Sequence, residues 1–98
     1  MITVTIETEG NNRTMHATGH AGYNAGNDVV CASFSTLAYQ LANLLAEMGA
    51  GEMEDDGATM TIRSAQAGAA ALMAWRGFEL GAQMLEDAYP DNVKILQK

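Results

Sequence analysis

The sequence predicts an α+β fold: a two-layer sandwich of a mainly antiparallel sheet and two amphipathic helices, in the order ββαββα(β). Three observations predict it. Short stretches alternate apolar and polar residues with the period of a half-buried strand. Two longer stretches repeat apolar residues at spacings of three and four, and Gly, Asn and Asp punctuate the joins. Sheet and helices each have one apolar face to bury, so they stack as two layers.

Ile2, Val4 and Ile6 alternate with Thr3, Thr5 and Glu7, giving a first strand. Gly10-Asn11-Asn12 turns the chain, and residues 13–20 return antiparallel, with Met15 and Ala17 on one face and His16, Thr18 and His20 on the other. Residues 19–27 hold three glycines and two asparagines and read as a loop able to move. Asp28 is suited to cap a helix, since its carboxylate can accept from the N–H groups of Val30 or Cys31. That helix runs to about Met48 on a stripe of Val30, Phe34, Leu37, Leu41, Leu44 and Met48, and Gly49 and Gly51 stop it. A second hairpin joins residues 52–55 to 58–64 through a two-residue turn at Asp56-Gly57. A second helix spans 65–88 on a face of Ala71, Trp75, Phe78, Ala82, Leu85 and Tyr89. Ala74, Gly77 and Gly81 beside it are small enough for another backbone to approach. Pro90 ends this helix, and residues 93–96 form a short last strand.

With 98 residues, 48% of them hydrophobic, the chain is read as one domain, 1–98, with a single modest core. The net charge is −7 with only five Lys and Arg, which argues against direct nucleic-acid binding. No apolar run approaches the roughly 18–20 residues of a membrane span, the start lacks a leader pattern, and one cysteine forms no internal disulfide. A cytoplasmic protein is expected.

Cys31 is that single cysteine, at the third helical position if Asp28 is the cap. Orphan N–H groups in a first helical turn favour a thiolate, and a histidine ending the preceding strand, His20, is placed to take its proton. Cys31 shares a row of small residues with Ser35, Ala38 and Ala42, off the main apolar stripe. Asp28 has two open roles, capping the helix or orienting His20. His16 and His20 stand about 13 Å apart along a strand, too far to share a metal, so neither metal nor cofactor is expected.

Gly19-His20-Ala21, a short glycine-containing loop and Asp28-Val29-Val30-Cys31-Ala32 resemble the signature of the bacterial ribosomal-processing cysteine proteases, the Prp family. The likeness continues through Ser35 and Leu37 and returns at Tyr89-Pro90 and Val93-Lys94-Ile95. The resemblance implies a homodimeric endopeptidase that removes a short N-terminal extension from a large-subunit ribosomal protein. Cys31 would be the nucleophile and His20 the base, supported by Asp28, Ala32 and Ser35. The loop through Gly19, Ala21, Gly22, Tyr23 and Gly26 would move to admit the peptide. Backbone N–H groups near Cys31 and Ala32 are the expected oxyanion donors, and the acidic surface suits a basic precursor protein as substrate. The alternatives are a same-family protease acting on phage capsid or scaffold proteins, and a non-catalytic dimeric adaptor with Cys31 buried.

Overall fold

A computed structural model of the chain, describing residues 1–24, 26 and 28–98, contains five strands and two helices. They are β1 (Ile2–Glu9), β2 (Asn12–Thr18), α1 (Val29–Met48), β3 (Glu52–Asp55), β4 (Thr59–Ser64), α2 (Ala69–Ala88) and β5 (Val93–Gln97). One sheet holds all five strands in the order β3-β4-β2-β1-β5, antiparallel except where β5 runs parallel to β1. Register follows from the apolar residues, which line up across the strands. Val4 faces Ala17, Ile6 faces Met15, Met15 faces Ile62 and Ile2 faces Val93. All seven are buried beneath the helices, and a one-residue slip of any strand would turn them to solvent. The edge strand β5 is tied back to α2, whose Glu86 carboxylate accepts the Ile95 N–H at 2.7 Å.

Several boundaries differ from those the sequence suggests. β2 ends at Thr18, where its pairing with Thr3 and Thr59 stops, so His20 lies beyond the strand. The loop expected over 19–27 is found, with Ala25 and Asn27 outside the described residues. The two-residue turn at Asp56-Gly57 is a wider connection that leaves Ala58 outside β4. Among these residues positive φ is found at Gly57 alone, and the Asp56 carboxylate closes the loop on the N–H groups of Ala58 and Thr59. α2 begins at Ala69 rather than residue 65 because the β1–β2 turn captures the preceding chain. Asn12 Oδ1 accepts the Gln66 N–H, and the Asn11 carbonyl accepts the Ala67 N–H.

The buried face of α1 is Val30, Phe34, Ala38, Leu41, Ala42 and Leu45. Leu37 is half-buried, while Leu44 and Met48, both expected inside, are exposed. The alanines of the small-residue row set this rotation, because they let the helix lie flush on the sheet. By length and composition α1 could cross a membrane, contrary to expectation, but this face is packed in the core. On α2, Ala71, Trp75, Phe78 and Ala82 are buried as predicted, with Leu85 and Tyr89 half-buried. The space beside Gly81 is filled by the Leu37 side chain, which a Cβ would meet at 2.7 Å, and nothing lies within 4 Å of a Cβ at Gly77. Among the described residues a side chain, not a backbone, lies nearest Gly81, and Gly77 faces open space, so the close backbone approach expected of this row is not found. α1 ends as predicted on Gly49, whose left-handed conformation lets its N–H reach the last carbonyls.

Trp75 is fully buried, and its indole N–H donates to Ser64 Oγ at 2.9 Å. Ser64→Ala would strand that donor in the core. A loss of about 1–3 kcal/mol in urea unfolding, with an unchanged slope, is expected.

Candidate active site

Thr18 is the last residue of β2, and Gly19 follows at φ 85°. A side chain there would run into the Met1 carbonyl oxygen, so only glycine lets the chain leave the sheet against the N-terminus. His20 comes next, exposed, and then Ala21, which is buried. The loop returns to α1 through Asp28, whose carboxylate joins the two. Asp28 Oδ1 accepts from Val30 and Cys31 N–H at 3.0 Å each, and Oδ2 accepts from Tyr23 N–H at 3.1 Å. The Cys31 N–H, followed by those of Tyr23 and Val30, holds the Asp28 carboxyl below its usual range. Among the described residues none of its bonds goes to His20, so of the two open roles the structure shows the cap.

Cys31, half-buried, faces a cleft of about 200 Å³. The Ala21 N–H donates to Cys31 Sγ at 3.2 Å. His20 lines the same cleft, without a hydrogen bond to Cys31 among the described residues. The expected oxyanion donors are engaged elsewhere: the Cys31 N–H goes to the Asp28 carboxylate, and the Ala32 N–H goes to the Asp28 carbonyl at 3.1 Å. Ser35 lines the cleft one turn beyond Cys31, whereas Ala32 is exposed. Of the other loop residues, Gly22 and Gly26 are exposed, and Tyr23 packs edge-on against Tyr89 with ring centroids 5.2 Å apart. His16 is on the sheet face away from the helices, bonded to Thr61 at 3.1 Å.

The far wall of the cleft comes from residues the sequence reading did not single out for the site. Tyr39, four residues beyond Ser35, donates its hydroxyl to Asp55 Oδ2 at 3.2 Å, and Gly57, Ala58 and Met60 complete the wall. The Asp55 carboxylate raises the Tyr39 hydroxyl above its ordinary pKa by accepting its proton in a hydrogen bond and by its charge. Tyr39 was legible as the third member of the spacing 31, 35, 39. The hairpin was not, because only long-range pairing carries it there.

The pattern described as cysteine protease Prp matches residues 1–94. The chain belongs to the Prp cysteine protease family. It is therefore a cysteine peptidase. A crystal structure of the S. aureus ribosomal processing protease Prp with a covalently linked product peptide is similar over the full length of both chains, at 26% identity and a TM-score of 0.84. The same S. aureus protease with a substrate peptide aligns at 25% identity and 0.79, again over both whole chains. SMU.848 from Streptococcus mutans aligns at 29% identity and 0.78, covering 100% of this chain and 96% of that one. Among curated proteins, none matches. This Prp chain keeps the predicted α+β order, ββαββαβ, with the last strand present.

Because hydrogen bonding holds the Asp28 carboxyl pKa down, the stability it adds is present above its unfolded-state pKa and lost as pH falls through the folded value. Asp28→Asn keeps a capping oxygen, but its amide cannot also accept from Tyr23. Thermal unfolding should show Asp28→Asn melting below the wild type at neutral pH, with the gap closing in acid. A gap independent of pH would contradict the clasp.

Proposed function

We propose that this protease removes a short N-terminal extension from a large-subunit ribosomal protein, acting in the cytoplasm as a homodimer, with Cys31 as nucleophile and His20 as base. One observation carries the reading: the only cysteine of a Prp-family chain accepts an N–H from the loop that bears His20, in the cleft that His20 lines. The S. aureus relative, with a product peptide in one structure and a substrate peptide in another, supports a peptide substrate.

In this mechanism His20 takes the proton of Cys31, and the thiolate attacks the scissile carbonyl. His20 then gives its proton to the leaving amine, and water hydrolyses the thioester. A tetrahedral oxyanion bonded through carbon to Sγ forms within reach of the Ala21 N–H, already 3.2 Å from the sulfur. Ala21 thus replaces the helical N–H groups as oxyanion donor. The charge of −7 favours encounter with a basic ribosomal precursor. Exposed Leu44, Met48 and Met73 around a groove between the helices support self-association.

Cys31→Ala should abolish cleavage of an extended ribosomal protein while its unfolding curve stays close to wild type. His20→Ala should cut kcat by about 10²–10⁴-fold, the usual share of a general base. His16→Ala should leave kcat unchanged, since His16 is on the other face of the sheet. Equal losses from the two histidine substitutions, measured by peptide cleavage, would contradict the assignment.

A further inference from the structure

Asn92 is 71 residues from Ala21 in the chain, between α2 and β5, and its side chain meets the loop of the active site. Asn92 Nδ2 donates to the Ala21 carbonyl at 2.9 Å. A carbonyl only accepts, so the amide is held with its NH₂ toward the loop. Ala21 is thereby fixed on three sides: its carbonyl by Asn92, its methyl in the core, and its N–H on Cys31 Sγ at 3.2 Å. Asn92 is itself anchored through its backbone, its N–H donating to the Tyr89 carbonyl and its carbonyl accepting the Ile2 N–H, both at 2.9 Å. The first residue of β1 and the end of α2 thus set where the side chain stands.

We propose that Asn92 is a positioning residue for the peptidase reaction. It holds the Ala21 N–H at the distance and angle that stabilise the Cys31 thiolate and the oxyanion formed on it. This inference rests on Cys31 being the nucleophile. Among the described residues Asn92 makes no bond to the sulfur and does not line the cleft. Its effect passes through one loop residue, and the same residue fixes where the chain delivers His20. Outer partners that orient metal ligands are worth about 10–100-fold in activity, and a loss of the same order is expected for an outer partner that orients a backbone donor. A merely structural role predicts something else, because both backbone bonds of Asn92 survive truncation of its side chain.

The test uses the full chain with Asn92→Ala, iodoacetamide as the probe of Cys31, and a ribosomal-protein peptide with its N-terminal extension as substrate. Asn92→Ala leaves in place the charged and titratable groups that share the cleft with the thiol, His20, Tyr39 and Asp55, and Asp28 on the Cys31 N–H. Alkylation at fixed pH should slow, and kcat should fall about tenfold or more while KM changes less than about twofold. An unchanged alkylation rate would overturn the proposal. If the variant does not unfold cooperatively, NMR of the wild type decides. The Asn92 side-chain amide and the Ala21 backbone amide should both shift when iodoacetamide alkylates Cys31, and an Asn92 amide that stays silent would overturn it. Slowed alkylation in a protein whose wild type leaves the extended ribosomal protein uncut would retain the positioning role and reject the ribosomal substrate.

Discussion

The end of the molecule that holds the Cys31 cleft depends on one carboxylate. Asp28 bonds N–H groups of the loop and of the first turn of α1, making a single clasp from two segments. The clasp has a chemical consequence. A helix N-terminus favours a thiolate through its free N–H groups and dipole, but here those of Val30 and Cys31 are spent on an anion three residues before the sulfur. The donor that reaches Sγ comes from outside the helix, from Ala21. The geometry of the loop, more than the dipole of α1, therefore governs the environment of the thiol.

This explains why the loop is tied down at so many points. Gly19 turns it off the sheet against Met1, Ala21 is sunk in the core, Tyr23 packs on Tyr89, and Asn92 holds the Ala21 carbonyl. Two of these anchors, Tyr89 and Asn92, belong to the connection between α2 and β5. Because β5 runs parallel to β1, the C-terminal end of the chain is brought beside the first strand, and Asn92 reaches the loop that bonds Cys31. The last strand serves the site as well as the sheet.

Much of this was legible in the sequence. Period-two alternation gave β1 and the core half of β2, and Asp28 and Gly49 marked the ends of α1 because capping is local chemistry. Cys31, Ser35 and Tyr39 are spaced to share a helix face, and two of the three were singled out. What was not legible is tertiary. The oxyanion donors expected at Cys31 and Ala32 are lost to Asp28, and the histidine expected at the end of a strand stands two residues past it. Leu44 and Met48 are exposed because Ala38 and Ala42, off the apolar stripe, are part of the face on which α1 packs. Asn92 carries no sequence signal, since a bond across 71 residues exists only once both ends of the sheet have formed.

The central claim is that Cys31 forms a covalent bond with the peptide, and intact-mass spectrometry on acid-quenched reactions tests it most directly. Mixed with an extended ribosomal-protein peptide, the protein should gain within one turnover the mass of the N-terminal fragment in thioester linkage. Peptide mapping should place that adduct on Cys31, and hydroxylamine should remove it. Release of both peptide fragments with no adduct on Cys31 at any quench time, under conditions where deacylation is slowed, would contradict the account.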